Sequence, residues 1–182
     1  KRVSSNTPGP ASFNVYLGLA RSPDELGLHD HELFINDSYD HEAMWEGTRH
    51  IGVPAQIVVT CYNHVLPDIS PPGTSAMTLT ALMYGEPWYD LDPDDYIETK
   101  TRIADAMIDK TERVYPGLRA AAEVVEVSTP VTNMRFTGQL GGSIYGFDQI
   151  AAESAVFRLP QKGPVAGLYF AGAFTQPGGG FE

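Results

Sequence analysis

The chain has 182 residues, 42% of them hydrophobic and 19% charged, a balance that supports a packed core and excludes general disorder. Acidic residues outnumber basic ones by 23 to 12, for a formal charge of −11. That surface, with no Lys/Arg cluster, argues against nucleic acid and against simple attraction to anionic lipid. The single Cys61 rules out an intramolecular disulfide and a thiolate metal cage, which favours a reducing, cytoplasmic setting. No apolar run approaches the length of a membrane-spanning helix, and the stretch after Lys1-Arg2 lacks the apolar segment of a secretion signal.

In chain order, SFNVYLGLA alternates around Phe13, Val15, Leu17 and Leu19 and predicts a half-buried strand over 12–20. RSPDELGLHD over 21–30 reads as a connection or a short helical turn, and ELFIND over 32–37 as a second strand. Ser38 or Asp40 can cap a short helix ending at Gly47. PAQIVVTCYN over 54–63 is rich in β-branched residues and predicts a buried strand; AMTLTALMYG over 76–85 predicts another. The Pro/Gly loop between them suggests an antiparallel pair.

The clearest element is a long helix opening at Asp92-Pro93 and stopped by Pro116-Gly117. Asp94, Asp95 and Glu98 suit its positive end. Ile97, Lys100, Ile103, Ala104, Met107, Ile108, Thr111, Val114 and Tyr115 trace one mainly apolar stripe. EVVEVSTP over 123–130 predicts a strand, TNMRFTGQLGGSIYGFDQ a loop, and GLYFAGA over 167–173 a final strand. The fold class is α+β, a mixed but mainly antiparallel sheet packed with helices.

Three candidate sites carry little chemistry. His29 and His31 in a His-x-His, with His41 nearby, lack a third ligand at motif spacing, so no metal is assigned. GGSIYG resembles a nucleophile elbow around Ser143 but has Tyr145 where the last glycine belongs. Cys61 sits in an apolar strand and reads as core. The tail is sharper: a strand ending in Gly172-Ala173, then Pro177-Gly178-Gly179-Gly180, is a layout that brings backbone N–H groups against an anion. The residue pattern alone leaves an anion-binding turn and a plain C-terminal tail equally open.

The tail FAGAFTQPGGG resembles the C-terminal signature of FAD-dependent carotenoid and retinoid oxidoreductases, the phytoene-desaturase-like, carotene-isomerase-like and retinol-saturase-like flavoproteins. STPVTNMRFTGQLGGSIYGFDQ, the long helix with VYPGL, and SFNVYLGL are similar to other stretches of that family, so the resemblance runs over 12–182. It implies a substrate-binding domain over 1–165, and over 166–182 a returning strand and glycine turn of an FAD-binding domain whose GxGxxG unit lies outside this chain. It implies that Gly172, Ala173, Pro177, Gly178, Gly179 and Gly180 touch FAD, and that Arg135, Phe136, Tyr145 and Phe147 lie near the flavin face or an apolar tunnel. For the aromatics, ordinary core packing is an equal alternative. Ala173 departs from the acidic residue that many wider flavin oxidases carry there.

The substrate implied is a polyene or isoprenoid, which is desaturated, saturated or isomerised, with peripheral membrane contact in the full-length protein. The cofactor carries the redox chemistry, no residue of this chain is required as an acid or base, and the chain alone is expected not to hold FAD. A non-redox domain for apolar ligands or for interaction is the alternative.

Overall fold

In the computed structural model, which describes residues 6–179, five strands form one antiparallel sheet: β1 (Ala11–Leu19), β2 (Glu32–Asn36), β3 (Gln56–Cys61), β4 (Ser75–Met83) and β5 (Ala122–Ser128), in the order β2-β3-β4-β1-β5. With helices α1 (His41–Gly47), α2 (Pro93–Glu112), α3 (Leu118–Ala121) and α4 (Pro130–Thr137) beside it, the fold is α+β as the sequence predicts.

The register explains the two faces. Leu33, Val59, Leu79, Val15 and Val127 lie opposite one another across all five strands, as do Cys61, Met77, Leu17 and Val125 across four. Because side chains alternate along a strand, these rows share one face. Phe13, Val15, Ile57 and Leu79 are fully buried there against Ile103, Met107 and Ile108 of α2. Each such side chain contributes about 1.5–3 kcal/mol by leaving water.

On the other face the rows read Glu32, Thr60, Thr78, Tyr16, Glu126 and Phe34, Val58, Thr80, Asn14, Ser128. β3 is therefore buried on one side only, rather than throughout as its β-branched content suggests. Cys61 is core as expected, and burial pushes its thiol pKa up.

Helix α2 begins at Pro93 as the sequence predicts and ends at Glu112, before the Pro116-Gly117 stop, so Val114 and Tyr115 lie past its last turn. Asp92 occupies the cap position without a side-chain cap bond; its carbonyl accepts from Tyr96 N at 2.8 Å. Ile97 and Val114, at the two ends of the predicted stripe, are exposed. Lys110 is buried instead, with Nζ donating to the Pro54 and Ala55 carbonyls at 3.0 Å each and pairing with Asp37 at 2.7 Å. Between the alternatives for α1, Asp40 is the cap: its carboxylate accepts from Ala43 N at 3.0 Å.

Two segments depart from the sequence reading. Residues 130–137, read as the end of a strand at Pro130 and as loop from Thr132, are helix α4, because Thr129 caps it, Pro130 fits its first turn, and Thr132 closes a reciprocal box with Thr129. Residues 167–173, read as a strand, do not join the main sheet. They fold back locally, with Phe170 N donating to Gln161 O at 2.7 Å and Gly163 N to Leu168 O at 2.9 Å. A strand needs a continuous partner, and among the described residues this segment forms a single bridge, Lys162 with Tyr169.

Candidate functional site

The open face of the sheet carries a cavity of about 640 Å³, within the range of small-molecule sites. Its floor is Phe34, Val58 and Leu82; Met44 and Trp45 of α1, Val53, and Ile144 with Tyr145 close around it. Helix α1 lies over this face because its cap and the turn after it are pinned at both ends, by Asp40 and by the bond from Tyr84 N to Thr48 O at 2.9 Å.

A polar cluster joins the walls. Arg49 donates from Nη2 to Tyr84 Oη at 3.2 Å and to Asp148 Oδ2 at 3.4 Å, and its guanidinium stacks 4.3 Å from the Tyr84 ring centroid. Tyr84 in turn donates to Asp148 at 2.8 Å. Burial, reinforced by the Asp148 carboxylate, pushes the Tyr84 phenol well above its ordinary pKa. Arg49 also lies 5.8 Å from the centroid of Trp45, so the cluster ties α1 to the segment that carries Ile144 and Tyr145.

That segment is held from behind by Arg158, 2% exposed. Its Nη1 donates to the carbonyls of Tyr145, at 3.2 Å, and Ala173; Nη2 donates to Phe147 O at 2.7 Å. Among the described residues its Nε has no hydrogen-bond partner, and desolvation lowers its pKa, opposed by Glu153 and Asp148. One guanidinium thus joins the cavity wall to the C-terminal turn.

The glycines of the 140–146 loop serve close approach. Gly142 has φ of 65°, and a Cβ there would overlap the Pro130 carbonyl at the head of α4. Asn133 of α4 donates to Ser12 O at 3.0 Å, fixing the helix against β1. Ser143 is buried and donates to the Gly146 carbonyl, a turn-forming role far from a nucleophile's.

The four residues expected near the flavin face or an apolar tunnel separate. Tyr145 lines the cavity and is 42% exposed. Phe147 is 1% exposed and packs edge-on against Phe174 with centroids 4.8 Å apart, so it is core. Arg135 and Phe136 do not line the cavity: both are exposed on α4, Phe136 at 78%, because Asn133 and Val131 occupy the inward side of that helix. His31 Nδ1 lies 3.0 Å from Cys61 O and His41 lines the cavity; among the described residues no group of three or more His, Cys, Asp or Glu could hold a metal.

For the turn at 172–179 to hold a flavin nucleotide, its amides and bare Cα faces have to be free. Thr175 N donates to Gly172 O at 3.0 Å and Gln176 N to Leu159 O at 2.9 Å. A Cβ at Gly178 would overlap the Arg158 side chain, and one at Gly179 would press on the Gln149 amide. Gly172 keeps an open face, Ala173 gives its carbonyl to Arg158, and Pro177 follows a cis bond. Gly180 lies outside the described residues. In this turn the amides of Thr175 and Gln176 and the Cα faces of Gly178 and Gly179 are thus taken up within the chain, and the face of Gly172 is open.

The antiparallel sheet is thus packed against a helix on one face and carries a largely apolar cavity on the other. No family model matches the chain. It is 24% identical over 193 residues to an all-trans-retinol 13,14-reductase from Danio rerio, covering 94% of this chain and 31% of that protein. It is 23% identical over 173 residues to a chloroplastic prolycopene isomerase from an Oncidium hybrid cultivar, covering 94% and 28%. A lycopene-forming phytoene desaturase from Pseudescherichia vulneris is 28% identical over 116 residues, 63% of this chain and 23% of that protein. The resemblance read from the motifs is borne out: the chain is related to carotenoid- and retinoid-converting enzymes. It spans less than a third of the length of each of these relatives. Among the described residues no helix is long and apolar enough to cross a membrane.

Proposed function

We propose that this chain supplies the substrate-binding domain of an FAD-dependent oxidoreductase that desaturates, saturates or isomerises a carotenoid-like or retinoid-like polyene. The observation that carries the reading is the cavity on the open sheet face, floored by Phe34, Val58 and Leu82 and walled by Met44, Trp45, Ile144 and Tyr145. Its lining suits a flexible apolar chain, since burial of apolar surface supplies the affinity and the few polar groups set orientation. The relatives' names point to polyene substrates independently of that geometry.

In this reading the flavin supplies the redox chemistry, and the residues of this chain bind, orient and keep the polyene dry. Tyr145 touches substrate; Arg158 positions Tyr145 and the 172–179 turn together. Phe147, Arg135 and Phe136 contribute to folding or to the surface instead of the tunnel. The FAD contact at Gly172, Ala173, Pro177, Gly178, Gly179 and Gly180 rests on the family resemblance, with the rest of the nucleotide held by residues outside this chain.

The test is the full-length protein. It is expected to purify with bound flavin absorbance and to convert one of phytoene, a cis-carotene or retinol. Loss of hydrogen by mass identifies desaturation, gain identifies saturation, and unchanged mass with altered retention identifies isomerisation. A colourless, flavin-free full-length protein that still binds polyene would favour the non-redox alternative.

A further inference from the structure

Apart from the open-face cavity, the fold carries a second hollow of about 340 Å³ between the start of α2 and α4. Its floor is Trp88, and Tyr89, Tyr96, Val131 and Met134 wall it. Tyr96 is fixed by a 2.9 Å contact between its hydroxyl and that of Thr129, and its ring stands edge-on to Trp88 with centroids 6.0 Å apart. Trp88 is 2% exposed, yet its indole N–H has no hydrogen-bond partner among the described residues. Among those residues Arg158 Nε is the one unpartnered side-chain polar atom shut off from water, so the Trp88 N–H keeps an opening, which the hollow lined by its ring supplies. Leu91 and Pro93, also in the lining, alternate with Asp90, Asp92 and Asp94, and Asp95 follows. All four carboxylates are exposed, and none has an ion pair among the described residues.

We propose that this hollow docks an extended, proline-containing basic segment of a partner protein, with its apolar residues over Trp88 and its Lys or Arg residues on the acidic lip. An indole N–H only donates, so the occupant has to bring a free acceptor beside its apolar group. A docked helix has its carbonyls bound within itself, whereas a polyproline II segment has no internal hydrogen bonds and leaves its carbonyls free for such a donor. Its proline rings also pack on aromatic walls without the entropic cost of ordering a flexible chain. The four carboxylates set the sign of the flanks: basic residues are attracted and acidic ones repelled. The ring faces suit a cation as well, since Lys100 Nζ already stands 5.8 Å from the Tyr96 centroid. The site is separate from the open-face cavity and does not depend on what that cavity binds.

The test is the fluorescence anisotropy of a labelled peptide, a proline-leucine core with a pair of arginines at each end, titrated with the full-length protein. Replacing its prolines with alanine, or its arginines with glutamine, should weaken binding about tenfold in each case. W88F keeps an aromatic ring beside Phe13 and Tyr96 but removes the N–H, and should weaken the peptide about fivefold. Y89A, at a position 45% exposed and so of little risk to folding, should cost about fivefold as well. D90N/D92N, also exposed, should cost about threefold and flatten the loss of binding with added salt. Equal binding of the alanine peptide leaves only a general attraction of charges and overturns the proposal, as does binding that survives both W88F and Y89A. Absence of binding by the folded full-length protein overturns it too, and self-association lost in Y89A would then assign the hollow to a second copy of the protein.

Discussion

Residues 11–128 and residues 138–179 are held together by different physics. The first region is a sheet whose apolar rows interlock with α2, so each buried side chain is backed by many others. The second has short turns with little regular structure, and its fixed points are polar: Arg158 on three carbonyls, Asp148 on Tyr84 and Arg49, and glycines at close contacts. In a close-packed apolar core the loss of one side chain is felt by the whole fold. A polar hub concentrates the same task in one residue, so its loss is local and complete. The cavity lies where the two regions meet, with a floor from the first and the Ile144–Tyr145 wall from the second.

The comparison can be broken at its strong side first. Leu79→Ala, in the central strand and fully buried, should cost about 2–5 kcal/mol, seen as a lower urea midpoint for the whole fold. If only the C-terminal region loosened, the division drawn here would be wrong.

Arg158→Met should cost about 3 kcal/mol by leaving buried carbonyls without donors, and it should act locally. Hydrogen exchange is expected to quicken over 143–178 while 11–128 keeps its protection. Uniform loss of protection would mean the two regions fold as one.

Thr129→Ala removes the cap of α4 at a cost of about 1 kcal/mol. Since α4 bridges the regions through Asn133 and Gly142, both the thermal midpoint and the affinity for a polyene probe should fall slightly.

The smallest expected effect is at Tyr84. Its pKa in the fold lies above its ordinary value near 10, so the folded state holds the proton more tightly than the unfolded one. The resulting stability is complete below pH 10 and declines as pH rises toward the folded value. Tyr84→Phe should lower stability at neutral pH by about 0.5 kcal/mol, through the lost bond to Asp148, and flatten that alkaline decline in a series of denaturation curves.

Legibility in the sequence follows the same division. The alternation of Phe13, Val15, Leu17 and Leu19, and the stripe from Ile103 to Ile108, announce their buried faces because periodicity is a local property. The Thr129-Pro130 signal for α4 is also local, and reading it as the end of the 123–130 strand misses it, although a cap followed by proline and a second threonine marks a helix start. Arg158 left no such mark: its partners lie 11 to 15 residues away in chain turns without regular period. Arg49 and Asp148, 99 residues apart, could be paired only by the fold.

The sequence by itself determined the α+β class, the strands of the sheet, the long helix and the kinship with polyene-converting enzymes, because each rests on short-range pattern or on motifs in order. The tertiary structure decided which side of β3 faces a ligand, that Tyr145 lines the cavity while Phe136 does not, and that the glycine turn closes on Arg158. These depend on register and long-range packing, where a shift of one residue turns a side chain from core to cavity.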